Sequence, residues 1–177
     1  MIVVGKNLQQ LMEQHNMVDR PDCYDETCIK MSLGSTCIRL KPSRGCNMLV
    51  YGEALPENCI ERFELTDEGL LLGPKSAVLA SSAETVCMPE GYMGLLQTKG
   101  SLARLCVSIH FSDGQIDPGF QGKVTFEMFN ASDFCIRIRK FQVVGNLYVF
   151  KTSTSRHKMY DGKYAHAEGP TIQMPSV

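Results

Sequence analysis

The distribution of apolar residues changes early in the chain. Residues 6–17 carry Leu8, Leu11, Met12 and His15 at helical spacing, which predicts one amphipathic helix. Short apolar runs then recur between Gly, Pro, Asn and Asp, and they predict short strands joined by turns. The predicted strands are 35–40, 48–51, 60–65, 69–72, 76–81, 84–88, 92–97, 105–111, 122–130, 134–140 and 142–150. Such regular short strands favour a barrel, a jelly roll or a sandwich.

Two of these strands alternate apolar residues with the residues between them, which predicts one face toward a core and one face outward. The inward sets are Val124, Phe126 and Met128 in the first strand and Phe134, Ile136 and Ile138 in the second. The last residues lose the pattern and turn polar, so we expect a tail that is disordered or acts as a lid. We predict one domain over 1–177, with a helical region at 1–20 and a tail at 151–177.

Composition narrows the class of protein. The chain has 177 residues, 44% apolar and 21% charged, which is typical of one folded, soluble domain. Its net charge of -1 argues against broad non-specific binding to nucleic acid. The N-terminal apolar run is four residues long, so we expect no signal peptide. No run approaches the roughly 18 apolar residues of a membrane helix, and we expect a cytoplasmic protein.

The eight cysteines are scattered and none forms a C-x-x-C pair, so we interpret them as small buried hydrophobic residues in a reducing compartment. The segment His166-Ala167-Glu168 has the H-x-E form of zinc deaminases. That motif requires a downstream P-C-x-x-C to complete the metal site, and no cysteine follows Glu168. We therefore expect no zinc, and any deamination would need another way to activate water.

Three segments could carry chemistry, and each has a simpler interpretation. Lys99–Arg104 combines a lysine, a Gly-Ser turn and a hydroxyl, which suits phosphate but is also common in solvated turns. Ile116–Gly122 contains Asp-Pro-Gly, which predicts a turn between strands whatever the function. Glu127 lies on the outward face of its strand, where a solvated carboxylate is the ordinary expectation.

Taken together, these segments resemble the dCTP deaminase family. LLLGPKSAVLASSAETVCMPEGYMGLLQTKGSLARL is similar to the approach to its R/K-S-S-L-A-R motif. HFSDGQIDPGFQGKVTFEMFN is similar to its I-D-P-G-[FW]-x-G-x-[IV]-x-L-E-x-x-N stretch, and QVVGNLYVF to the strand that follows. The tail KYAHAEGPT resembles K-Y-x-x-Q-x-G-P-T. The N-terminal helix also lies where the family has one, and the match covers roughly 140 residues in the family's order.

The resemblance implies a mainly β fold, a distorted jelly-roll-like β barrel (β-clip, dUTPase-like), assembled as a homotrimer with active sites between subunits. It implies deamination of dCTP to dUTP and ammonia, feeding dUMP and dTTP synthesis. Mg²⁺ would be bound through the nucleotide triphosphate and not by protein side chains. Expected partners are dCTP or dUTP, with dTTP as a possible feedback inhibitor, and neither nucleic acid nor membrane.

By the same resemblance, Glu127 is the general acid/base that deprotonates the attacking water and protonates ring and leaving ammonia. The other catalytic residues are Arg104, which orients Glu127 and the water, and Ser101. The remaining substrate contacts are Lys99, Gly100, Leu102 and Ala103 around the phosphates, Asp117 and Phe120 at the sugar, Thr125 and Phe126 at the base, and Lys163 and Tyr164 from the tail.

The chain also departs from the family pattern, so it resembles a divergent member. Gly100 replaces the first serine of the phosphate turn, and Ser112-Asp113-Gly114 replaces T-A-[HG]. Ala167 replaces the tail glutamine, Tyr160 is a poor substitute for the tail tyrosine, and Lys30 stands where an aspartate is expected. Three alternatives remain open: a bifunctional enzyme that carries dCTP to dUMP, a dUTPase, and a catalytically weak nucleotide-binding regulator.

Overall fold

The computed structural model describes residues 1–154 and 158–173. The chain is mainly β, as predicted. The strands are β1 (Ile2–Val3), β2 (Tyr24–Asp25), β3 (Cys28–Leu40), β4 (Ile60–Glu64), β5 (Leu70–Leu72), β6 (Ala77–Cys87), β7 (Tyr92–Thr98), β8 (Val107–Ser108), β9 (Gln115–Ile116), β10 (Gln121–Asn130), β11 (Ile136–Ile138) and β12 (Val143–Lys151). The helices are α1 (Gly5–His15) and the single turn α2 (Gly100–Ala103), with 3₁₀ turns at Pro21–Cys23 and Glu57–Cys59.

The main sheet runs in the order β8-β10-β6-β3-β12-β7-β9 and curls around the apolar core. β1 adds to β12, β2 and β4 add to β3, and β5 pairs with β11 in a separate ribbon. Every named strand pair is antiparallel. Strands that are neighbours in space are often far apart in sequence, which gives the crossovers of a jelly-roll-like barrel.

β10 follows the predicted alternation closely. Val124, Phe126 and Met128 are buried, whereas Thr125 and Glu127 lie on the half-exposed face. The strand is paired on both sides, with β6 along most of its length and with β8 at its end. Because side chains of a strand alternate between faces, the pattern that builds the core also turns Glu127 away from it.

The helix prediction is confirmed with shorter bounds. Leu8, Leu11 and Met12 of α1 are buried, but His15 is exposed and does not join them. The helix ends there because Asn16 adopts a left-handed conformation with φ 46°, a common helix terminator. Among the described residues, no helix is long and apolar enough to span a bilayer.

Several strand predictions were wrong in extent. Residues 76–81 and 84–88 form one strand, β6, whereas 105–111 and 134–140 form only the short β8 and β11. Residues 48–51 form no strand, and Met48 and Tyr51 are 74% and 91% exposed. Phe134 is also 76% exposed and does not join the core. Short apolar runs of this kind pair into a sheet only where a partner strand is available, which sequence alone does not show.

The prediction that the cysteines are buried is confirmed for four of the eight. Cys23, Cys28, Cys37 and Cys59 are buried and unpaired by disulfides, whereas Cys106 and Cys135 are exposed, against expectation. Burial raises the pKa of the Cys23 thiol to about 12 and that of Cys37 to about 11. These two buried thiols therefore stay protonated and unreactive near neutral pH.

Candidate active site

A cavity of about 640 Å³ opens on the outward face of β10. Its walls come from β10, the loop at 113–120, the segment 49–55 and the tail at 160–173. Four charged side chains line it: Asp113, Asp117 and Glu127, with Lys123. With three carboxylates and one ammonium among its lining residues, the cavity is acidic overall.

Glu127 is held by the loop that precedes β9. The backbone amide of Phe111 donates to Glu127 Oε2 at 2.7 Å, and the amide of Glu127 donates to the carbonyl of Ile109 at 2.9 Å. The amide of Ile109 in turn donates to Thr98 Oγ1 at 3.1 Å. Within the described part of the chain, the carboxylate is therefore held by one backbone donor, and its remaining lone pairs can accept hydrogen bonds from a ligand or water.

Asp117 begins the Asp-Pro-Gly turn and lines the same cavity as Glu127. The side-chain amide of Gln115 donates a hydrogen bond to Asp117 Oδ1. The amide of Phe120 donates to the Asp117 carbonyl at 3.1 Å, which closes the turn. The ring of Phe120 is buried against the tail, with its centroid 5.9 Å from that of Tyr160. The motif is thus a turn, as the simpler interpretation requires, and it also delivers two candidate residues to the cavity.

The tail docks on β10 of its own chain. The amide of His166 donates to the Gln121 carbonyl at 2.6 Å, and the amide of Lys123 donates to the Ala167 carbonyl at 2.7 Å. Further along, the amide of Thr171 donates to Thr125 Oγ1 at 2.9 Å, and the two threonine hydroxyls lie 2.9 Å apart. The described part of the tail therefore lies over the cavity, whereas 155–157 and 174–177 of the predicted lid lie outside the described residues.

Two glycines of the Asp-Pro-Gly segment allow this docking. Gly119 has φ +91° and Gly122 φ +139°, conformations that side chains disfavour. A Cβ at Gly122 would lie 2.7 Å from the Ala167 amide nitrogen, and one at Gly119 would lie 2.8 Å from that of Tyr160. Both positions need glycine because the tail backbone passes directly over them.

The two predicted tail residues behave differently. Tyr164 lines the cavity, whereas Lys163 does not and holds its ammonium 5.5 Å from the Tyr164 ring centroid. Tyr160, judged a poor match from its spacing, also lines the cavity, and its amide donates to the Pro118 carbonyl at 2.7 Å. The cavity wall thus includes a tyrosine that its spacing along the chain did not single out.

The phosphate turn lies outside this cavity. Lys99–Arg104 follows β7 as a short helical turn, with amides of Leu102 and Ala103 donating to the Lys99 carbonyl. Leu102 is buried and anchors the turn, so its side chain does not face a ligand as a substrate contact would. Gly100, Ser101, Ala103 and Arg104 are exposed. The turn is presented to solvent and its residues do not line the cavity beside Glu127.

Within this chain, one predicted pairing is not formed and one predicted side-chain contact is blocked by burial. Arg104 makes no hydrogen bond or ion pair with Glu127 in the described part of this chain. The Phe126 side chain is 0% exposed in the core, so only its backbone can face a base. Phe126 and Thr125 are adjacent in β10, so strand alternation places their side chains on opposite faces. This alternation is the sequence signal that the Phe126 side chain cannot contact the base.

Sequence reasoning missed Lys123 as a cavity residue. Its ammonium donates to the carbonyl of Ala83 at 2.9 Å and lies 3.4 Å from that of Ser82. It also passed over the segment 49–55, whose apolar side chains Leu49, Tyr51 and Leu55 form one wall. Alternation along β10 could have identified Lys123, but nothing local connects 49–55 to the site. Among the described residues, no group of three His, Cys, Asp or Glu side chains is placed to hold a metal ion.

Comparison with known proteins agrees with the fold and with the motifs. Residues 2–152 match the model of the family described as dCTP deaminase-like. Two relatives named "dCTP deaminase, dUMP-forming" align over 165 residues, 86% of this chain. The protein of Parafrankia sp. is 38% identical with 80% of its length covered, and that of Streptomyces avermitilis is 34% identical with 84% covered. A third, from Acidothermus cellulolyticus, is 37% identical over 110 residues, 59% of this chain and 58% of its own length.

The solved structure of 2'-deoxycytidine 5'-triphosphate deaminase from Agrobacterium tumefaciens shares the fold. Its TM-score is 0.62 at 16% identity, over 84% of this chain and 46% of the solved chain. The architecture is thus mainly β, a curled antiparallel sheet with a short helix, as predicted, and it has the fold of that deaminase. Within that class, the chain belongs to the dCTP deaminase-like family.

Proposed function

We propose that this protein deaminates dCTP hydrolytically, with Glu127 as the general acid/base. The observation that carries the proposal is the placement of Glu127 in the cavity, fixed by the amide of Phe111 at 2.7 Å. Its family membership and the names of its relatives support dCTP as the substrate.

The reaction needs two proton transfers that one carboxylate can perform. Glu127 takes a proton from water as the oxygen attacks C4 of the cytosine ring. The protonated carboxyl gives that proton to ring N3. The same carboxylate then takes the proton of the new C4 hydroxyl and passes it to the amino group, which leaves as ammonia while the C4 carbonyl forms, so one water is consumed and one ammonia released. A fixed carboxylate with free lone pairs suits this role, because the proton donor and acceptor must stay within hydrogen-bond distance.

The charge of the cavity supports a particular orientation of the nucleotide. Three carboxylates and one lysine would repel a triphosphate, whereas a base and a sugar offer amino and hydroxyl donors to carboxylates. Base and deoxyribose therefore belong beside Glu127 and Asp117, with Phe120, Thr125 and Tyr164 around them. The triphosphate must find cations elsewhere.

Those cations are available on the exposed phosphate turn. Lys99, Ser101 and Arg104 offer an ammonium, a hydroxyl and a guanidinium, and the first amides of a helical turn lack helical acceptors. Because this turn does not line its own chain's cavity, we propose that it serves the cavity of a neighbouring copy in a homotrimer. Arg104 would then approach the partner's catalytic carboxylate, and Lys163 of the tail would add a further cation near the phosphates.

Mg²⁺ would be bound by the nucleotide and not by protein side chains. It would neutralise the triphosphate oxygens while Lys99 and Ser101 hold them, so the chain itself need not supply a metal cage. The shared sugar and triphosphate of dTTP would fit the same contacts, which supports dTTP as a feedback inhibitor. Neither proposal requires a contact beyond the residues named above.

For the product, we propose dUMP, with dUTP, the product expected from the motifs, as the alternative. Two observations favour dUMP: the relatives are named as dUMP-forming, and Asp117 shares the cavity with Glu127. A second carboxylate can direct another water toward the phosphate chain, which would release pyrophosphate.

The test is incubation of the purified protein with dCTP and Mg²⁺, with products separated by chromatography. Ammonia with dUMP and pyrophosphate supports the bifunctional reaction, and ammonia with dUTP alone supports simple deamination. A dUTPase would convert dUTP but release no ammonia from dCTP. Binding of dCTP without turnover would refute the enzymatic proposal and indicate a regulator.

A further inference from the structure

One wall of the cavity is a long connection between β3 and β4. We call residues 41–59 the wall loop. It contains one isolated bridge, Ser43 to Cys46, and the 3₁₀ turn Glu57–Cys59, and the rest has no regular structure. Leu49, Tyr51 and Leu55 nevertheless line the cavity, and the carbonyl of Glu53 accepts a hydrogen bond at 2.9 Å from the side-chain amide of Gln173 in the tail.

Two cysteines, Cys46 and Cys59, lie near each other where the two ends of the wall loop come together. The thiol of Cys59 lies 3.4 Å from the hydroxyl of Ser43 and 3.8 Å from the carbonyl of Cys46. The backbone holds both residues in place, because Ser43 and Cys46 exchange two 2.9 Å hydrogen bonds and the amide of Lys41 donates to the Cys59 carbonyl at 2.9 Å. Neither thiol has a part in the proposed reaction.

The two thiols also influence one another directly. A hydrogen bond from the Ser43 hydroxyl lowers the pKa of Cys59, and the neighbouring Cys46 acts in the same direction. The neighbouring Cys59 raises the pKa of Cys46, whose own thiol donates to the Met48 carbonyl at 3.7 Å. This differs from Cys23 and Cys37, whose pKa values are raised by burial. Cys59 is the buried member and Cys46 is partly exposed.

We propose that Cys46 and Cys59 form a reversible disulfide under mild oxidation, and that this bond clamps the wall loop at its base. The oxidant is a peroxide, and hydrogen peroxide is the one used in the test. Its O–O bond breaks as the partly exposed Cys46 sulfur takes one oxygen to become a sulfenic acid, and water leaves. The Cys59 thiolate then attacks the Cys46 sulfur and displaces hydroxide, which takes up a proton. Two thiols and one peroxide thus give one disulfide and two waters.

The bond would matter because few other contacts hold the wall loop. Met48, Val50 and Tyr51 are exposed, so the middle of the loop gains little from burial. A covalent link between residues 46 and 59 closes a short loop and removes much of its freedom to open. We expect the wall of the cavity to become less mobile when the disulfide forms.

The thiol test uses the folded full-length protein. It is treated with one equivalent of hydrogen peroxide, the remaining thiols are alkylated, and the protein is cut with trypsin without reduction. Cleavage after Arg44 and after Arg62 gives a single tryptic peptide that carries both cysteines. Oxidation is expected to give this peptide without alkyl label and lighter by two hydrogens than its reduced, unlabelled form, and reduction before alkylation restores two labels. Two labels on the peptide after oxidation, or a link to Cys106 or Cys135, would overturn the proposal.

The mobility test compares hydrogen exchange of residues 47–56 before and after oxidation. We expect exchange there to slow by about threefold or more, with recovery on reduction. Cys46→Ser should abolish the response, while Cys87→Ser, a partly exposed cysteine outside the pair, should retain it. Unchanged exchange in an oxidised wild type refutes the clamp. Neither test measures deamination, so failure of the proposed reaction would leave this inference standing.

Discussion

The Asp-Pro-Gly turn and the phosphate turn each follow a strand and each carry a family motif, but the fold holds them differently. The first passes into β10, which is paired with β6 and β8 and covered by the tail. The second is a single helical turn anchored by the buried Leu102, with its polar side chains exposed. The Asp-Pro-Gly turn is thus packed within a single chain, whereas the polar side chains of the phosphate turn are exposed to solvent. This difference between the two turns is what supports the proposal that a neighbouring copy supplies the phosphate half of the site.

The largest expected effect concerns the part of the site around Glu127. Glu127→Gln keeps the shape of the side chain and its contact with the Phe111 amide but cannot accept the proton from water. We expect ammonia release to fall by about 10³-fold or more, while affinity for dCTP changes only a few fold. Steady-state kinetics and calorimetric titration with dCTP and Mg²⁺ measure the two quantities. Equal losses of binding and turnover would show that Glu127 is structural.

The next prediction asks whether the two halves come from different chains. Arg104→Ala alone should lower kcat/KM by about 10²-fold, because it removes a charged contact to the reacting group. Mixing it with Glu127→Gln after subunit exchange should restore activity to about a quarter of wild type, since random assembly gives that share of sites both intact residues. Mixtures without subunit exchange serve as the control. No recovery after demonstrated exchange would contradict a site shared between chains.

A smaller effect is expected where the tail meets β10. Gly122→Ala places a Cβ 2.7 Å from the Ala167 amide nitrogen in a conformation with φ +139°. The tail should be displaced, raising KM for dCTP by about tenfold with less change in kcat. Gly73→Ala is the matched control, because its Cβ would meet only Ser76 Oγ at 3.6 Å. An unchanged KM for Gly122→Ala would mean that the tail does not contribute to binding.

Restoring the family residue in the phosphate turn should have a modest effect. A Cβ at Gly100 would lie 3.5 Å from Arg104 Nη1, an ordinary contact, so serine fits there without strain. If a hydroxyl at this position helps to place the attacking water, Gly100→Ser should raise kcat by about tenfold at most. Thermal unfolding should be unchanged. A lower kcat with normal stability would show that this protein has adapted to the glycine.

The smallest effect concerns Lys30, which stands where the family has an aspartate. Its ammonium lies 3.0 Å from Asp25, and that contact lowers the pKa of Asp25 and raises that of Lys30. The pair therefore stabilises the fold above the ordinary Asp value of 3.8 and below the ordinary Lys value of 10.5. A Lys30→Gln variant should have a slightly lower Tm at neutral pH, and the difference should vanish as the solution is acidified through the Asp25 pKa. Because both groups are exposed, a large difference would be unexpected.

Sequence patterns predicted the parts of the molecule in which local order and burial agree. Alternation in β10 correctly assigned both faces of that strand, and helical spacing located α1. Where an apolar run lacked a partner, as at 48–51 and at Phe134, the same reasoning failed. The candidate site divides in the same way. Motifs identified Glu127, Asp117, Phe120 and Tyr164, but neither Lys123 nor the wall loop.

The sequence by itself determined the strand-rich architecture and the order of the motifs, because period-2 alternation and turn chemistry act over a few neighbouring residues. It also determined that Glu127 faces away from the core. Only the tertiary structure decided that the tail crosses Gly122, that residues 49–55 wall the cavity, and that Lys99–Arg104 lies outside it. These facts depend on which distant segments pack together, and contacts between segments far apart along the chain leave no local periodicity to detect.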